Sequence, residues 1–128
     1  MENLVRNKLG AIFSLAVCLL AVSVGVSAHH GAASYDTTKT VTVKGTVTSY
    51  IWSNPHVFLN VDAKDDDGNA VHWVIEAQGP VPQADAGWTR NTFKPGDEVI
   101  VDVTPVKNGK PIGRFKGRII INGQTFKP

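Results

Sequence analysis

The sequence predicts an all-β fold, a small OB-like antiparallel β-barrel with one short helical insert, preceded by an N-terminal signal helix. Three observations carry this expectation. Short runs of alternating apolar and polar residues recur from Thr40 onward. Turn signals built from Asn, Asp, Gly and Pro separate those runs at regular intervals. No long amphipathic helical pattern occurs after residue 28.

The chain opens with the basic residues Arg6 and Lys8, and then carries no charge from Leu9 to Val26. Val26-Ser27-Ala28 ends that apolar run in small residues. This is the pattern of a secretory signal cleaved after Ala28, with a periplasmic or secreted destination. An uncleaved anchor is the alternative, because the run is just long enough to span a bilayer. Cleavage leaves 100 of the 128 residues and no membrane span. The single cysteine, Cys18, leaves with the signal, so the remainder has neither a disulfide nor a thiolate metal site.

The division expected is a signal peptide at 1–28, an extended arm at 29–39 and one barrel domain at 40–128. The arm is small and polar. In 40-TVTVKGTVTSYI-51, Val41, Val43, Val47 and Ile51 share one face of a half-buried strand, and Gly45 is expected to mark a bend or bulge. Asn54-Pro55 ends it. The runs 56–64 and 70–77 flank 65-DDDGN-69, which fits a three-residue hairpin loop with glycine in the left-handed position. That loop pairs Asp65 with Asn69, and so Val61 with Trp73, Leu59 with Ile75 and Val57 with Ala77. The apolar residues then fall on one face, which places Trp73 in the core; a slip of one residue would mix the faces. His56, Phe58, Asn60 and Asp62 lie on the other face with His72, Val74, Glu76 and Gln78. Pro82 is expected to open a helical turn that Gly87 closes. The turn at 94–97 leads to a strand with Val99, Val101 and Val103 on one face. Asn108-Gly109 reads as a hairpin tip, 112–121 as a strand, and Asn122-Gly123 as a turn into 124–126.

Several of these segments occur together: His29-His30 with Tyr35-Asp36, Asn54-Pro55-His56, Trp73-Val74-Ile75-Glu76, Gly87-Trp88 and Lys94-Pro95-Gly96-Asp97. In this combination the chain resembles the small exported bacterial proteins of domain-of-unknown-function family 6152, over nearly all of its length after the signal. The resemblance implies export to the periplasm and a compact β-barrel. It carries no established activity and transfers no catalytic role.

Four histidines are available: His29, His30, His56 and His72. Cleavage after Ala28 makes His29 the first residue, so that its amine and ring can chelate one ion and His30 can add a second ring. Imidazole and amine donors favour copper, with zinc second. The register makes His56 and Glu76 diagonal neighbours on one face, about 7 Å apart at the backbone. An arm folded across that face would complete a set of His29, His30, His56 and Glu76. The plainer readings are a solvated His-His arm, a His56 that caps the Asn-Pro turn, and a Glu76 paired with a lysine or a backbone amide. His72 and Asp62 form an ordinary exposed pair.

Beside this metal reading stands a metal-independent barrel that binds a small molecule or a periplasmic protein. It would use Trp52, Trp88 and the basic residues Lys107, Arg114 and Arg118; the plainer reading makes the tryptophans plugs of the barrel ends. A third class, a copper oxidase with an N-terminal histidine, would need an open coordination position. No serine sits in a nucleophile elbow and there is no phosphate loop, so no catalytic residue is identified. The charge after residue 28 is nearly balanced, which gives no case for nucleic acid as a partner. The acidic loop at Asp65 lacks the downstream glutamate of a calcium loop.

Overall fold

Val57, Leu59 and Val61 are fully buried while the residues between them are not, and Val99, Val101 and Val103 repeat the pattern. This period-2 burial is the mark of strands with one face on a core. The structure, a computed structural model, describes residues 31–127. The segment expected as a signal, His29 and His30 lie outside the described residues. The strands are β1 (Val41–Trp52), β2 (Val57–Lys64), β3 (Ala70–Glu76), β4 (Glu98–Pro105), β5 (Ile112–Ile121) and β6 (Gln124–Thr125). One helix, α1 (Pro80–Asp85), lies between β3 and β4.

β1 pairs with β2 along one part of its length and with β4 along another, and β4 pairs with β5. A parallel pairing of Val74–Glu76 with Ile112–Arg114 closes the barrel. Five strands therefore close in an OB-like arrangement, antiparallel except at this seam, and β6 adds a short strand to β5. Closure removes most of the exposed edges that a sheet of this size would otherwise present.

The β2–β3 register is the one the loop demands: Val61 faces Trp73 and Leu59 faces Ile75. The Asp65 amide donates to the Asn69 carbonyl, and Gly68 sits at φ 84°. Asn122 and Gly123 both have positive φ, as the expected turn requires.

Four local expectations need correction. Gly45 is not the bulge; the register of β1 against β2 shifts between Val47 and Ser49. Gly45 is instead a point of close approach, where a Cβ would lie 2.1 Å from the Asp62 carbonyl oxygen. The helix begins at Pro80 rather than Pro82, because the Gly79 carbonyl accepts the first helical hydrogen bond, from the Gln83 amide; Gly87 follows it at φ 78°. Trp73 is half-buried, packed against the core rather than inside it. The arm is not simply extended: Ala32–Ser34 form a 3-10 turn, and Tyr35 bridges to Val106.

The core joins the inward faces of all five barrel strands, β5 through Ile119, to Trp88 and Phe93 from the connection after α1. Trp88 packs its ring 5.6 Å from Phe93, 5.0 Å from Phe115 and 5.6 Å from Phe126. Tilted and edge-on aromatic contacts of this kind fill the barrel where β3 ends and β4 begins.

Candidate functional site

Glu76 closes β3, and its neighbour Ile75 is fully buried in the core. Alternation therefore turns the Glu76 side chain to the outer face of the barrel. It is nevertheless only 9% exposed. The N-terminal arm supplies the cover. The Asp36 amide donates to the Pro105 carbonyl and the Lys107 amide to the Ser34 carbonyl, which lays the arm along the end of β4 and the loop after it. Tyr35, only 7% exposed, then reaches the Glu76 carboxylate.

A carboxylate held away from water must be compensated by hydrogen bonds and charge, and Glu76 has three partners. The Tyr35 hydroxyl donates to Oε2, and Arg114 Nη2 lies 3.4 Å from the same oxygen. His56 Nδ1 contacts Oε1. Arg114 stands opposite Glu76 across the parallel seam, and its guanidinium carbon is 4.5 Å from the centre of the Tyr35 ring. One cation thus serves both the carboxylate and the aromatic face. Burial, reinforced by the hydrogen bond and the negative charge of Glu76, pushes the Tyr35 phenol up to about 12.

His56 is set by the loop between β1 and β2. The Asn54–Pro55 bond is cis, and the Pro55 carbonyl lies where a Cβ on Gly79 would stand, 2.7 Å away. Gly79 therefore lets this loop settle against the start of α1. His56 keeps 43% of its side chain exposed, and its Nε2 makes no hydrogen bond among the described residues.

The structure thus brings His56 and Glu76 into contact, with Arg114 as a third member. It does not bring the aromatic and basic residues expected of a ligand groove together. Trp88 is 7% exposed inside the aromatic cluster, a plug and not a stacking surface. Trp52 packs edge-on to Tyr50, with ring centres 6.0 Å apart. Arg118 pairs with Asp102 at 3.1 Å, and Lys107 stands on the loop between β4 and β5. His72 pairs with Asp62 at 2.6 Å on the surface. Tyr35 is the member that residue patterns missed. It stood among the segments that carry the family resemblance, but no pattern in the sequence assigned it a role. Among the described residues, no group of three or more His, Cys, Asp or Glu side chains could hold a metal ion. No helix among them is long and apolar enough to cross a membrane.

A family model described as "Family of unknown function (DUF6152)" matches residues 16–115. No curated protein matches the sequence. Among solved structures, the mitochondrial single-stranded DNA binding protein Rim1 of S. cerevisiae is similar at a TM-score of 0.49 and 14% identity, covering 65% of this chain and 92% of that chain.

Proposed function

The chain belongs to the family of unknown function DUF6152, and from that premise we propose that it is an exported β-barrel binding module that holds a transition metal, copper before zinc, through His56 together with His29 and His30. One observation supports the reading above the others. Glu76 engages His56 at Nδ1, which leaves Nε2 as the free nitrogen of a half-exposed ring. Histidines that ligate metals nearly always give their other ring nitrogen to a carboxylate or a carbonyl, which fixes the tautomer and strengthens the donor. Glu76 then acts as the partner of a ligand and not as a ligand itself, since both its oxygens are engaged.

The other donors in this reading are the paired histidines upstream. His30 precedes Tyr35 by five residues, a length of chain that reaches at most roughly 17 Å. Nitrogen donors of this type favour Cu(II) by affinity order. Export belongs to the same reading. It rests on the apolar run that ends in Val26-Ser27-Ala28.

The test begins with the intact mass of the protein recovered after export, which fixes its first residue. Titration with Cu(II), followed by calorimetry and EPR, should then show one ion per chain bound more tightly than micromolar in a nitrogen-rich field. Glu76→Gln should weaken that binding by roughly tenfold or more. Absence of any binding tighter than micromolar, for copper and for zinc, overturns the reading. Oxygen consumption with a reductant, dependent on His29, would extend it to an oxidase.

A further inference from the structure

The two ends of the barrel differ. Trp88 and its aromatic partners fill the end where β3 leaves and β4 enters. At the other end, where β1 and β3 begin and β2 finishes, a cavity of about 480 Å³ opens between these strands and the loop from β4 to β5. Val43, Ala63 and Trp73 line it with apolar surface, and Val43 belongs to the core itself. Lys44, Lys64, Lys107 and Lys110 stand on its rim, all exposed.

None of these four lysines is in an ion pair among the described residues. Two of the three carboxylates on the rim are already engaged. Asp36 accepts from Thr38 and pairs with Lys39 at 3.3 Å, and Asp65 accepts from the amides of Asp67 and Asn69. Five lysines against three carboxylates leave the rim with a net positive charge above an apolar wall that contains an indole. Charge of one sign around a low-dielectric recess concentrates ligands of the opposite sign. The volume falls within the range of roughly 300–1,000 Å³ usual for small-molecule sites.

We infer that this end of the barrel binds a small amphiphilic anion, with a flat apolar body against Trp73 and an anionic head among Lys44, Lys64, Lys107 and Lys110. The site is separate from the metal reading, because neither His56 nor Glu76 lines the cavity. It also differs from a groove built on Trp52 and Trp88, which stand elsewhere. Among the described residues β3 pairs with β5 only over Val74–Glu76, so the outer edge of β3 beside the indole has no strand against it.

The test uses the full chain and two dyes that share one aromatic body, anilinonaphthalene sulfonate and the uncharged N-phenyl-1-naphthylamine. The sulfonate should bind saturably at one per chain, quench tryptophan fluorescence and lose affinity as salt rises. The uncharged dye should bind at least about tenfold more weakly. The triple variant Lys64→Gln, Lys107→Gln, Lys110→Gln should weaken the sulfonate by about tenfold and leave the uncharged dye unchanged. Trp73→Ala should weaken the sulfonate by about tenfold, whereas Trp52→Ala should leave its affinity unchanged. Far-UV circular dichroism checks that each variant keeps its strands. Equal affinity for the two dyes, full affinity in the triple variant, or full affinity in Trp73→Ala would each overturn the inference.

Discussion

Glu76 is the residue on which the site turns. A single carboxylate takes a phenol from the N-terminal arm, an imidazole from the loop before β2 and a guanidinium from β5. Removing the carboxylate leaves the Tyr35 hydroxyl without its acceptor and Arg114 without its counter-ion. Glu76→Ala should therefore cost about 3 kcal/mol of stability in denaturant unfolding. Tyr35→Phe removes one hydrogen bond but keeps the ring beneath Arg114, and should cost about 1 kcal/mol. Equal costs for the two variants would mean that the carboxylate's other partners contribute nothing. The His56–Glu76 pair was legible in the sequence because both residues sit in one local hairpin whose loop dictates its register. Tyr35 and the pairing of Arg114 were not legible. They arrive through the arm and through the parallel seam, both of which join residues far apart in the chain. For Trp88 the plainer of the two readings holds, a plug of the barrel and not the wall of a groove.

At the scale of the elements, turn chemistry carried most of the information. The loop at Asp66-Asp67-Gly68 and the turn at Asn122-Gly123 each require positive φ, and each fixes the strands beside it. Gly45 was misread because a glycine inside a strand has two uses, a bulge or a close approach, and pattern alone does not separate them. Here β1 passes so near β2 that a methyl group would collide with the Asp62 carbonyl. Gly45→Ala should consequently destabilise the barrel by at least about 2 kcal/mol, measured by urea unfolding. A neutral effect would mean that β1 can move away from β2 at little cost. The start of α1 was misplaced by two residues because Pro80 and Pro82 both satisfy the first-turn rule.

For the whole molecule, the chain has only two tyrosines, and both are held by the fold. Burial raises the Tyr35 phenol to about 12 and pushes the Tyr50 phenol upward as well. In the unfolded chain both would ionise near the ordinary phenol value of about 10. Folding therefore holds these protons more tightly, and the associated stability is complete below pH 10 and declines as pH rises through about 12. Absorbance at the tyrosinate band should stay flat through pH 10 in the native protein and rise in the unfolded one. A native titration near 10 would mean that the arm leaves Tyr35 in water.

The fold class was readable because alternation, turn spacing and the single helical insert all point to one small barrel. The seam that closes it was not readable, because parallel pairing of β3 with β5 leaves no mark in either strand. The central claim is that this barrel, with its arm docked over Glu76, offers His56 to a metal ion. Calorimetric titration of Cu(II) into the exported protein and its His56→Ala variant tests that claim most directly. The account predicts binding tighter than micromolar that weakens at least about tenfold in the variant. Identical affinity in the two proteins would contradict it.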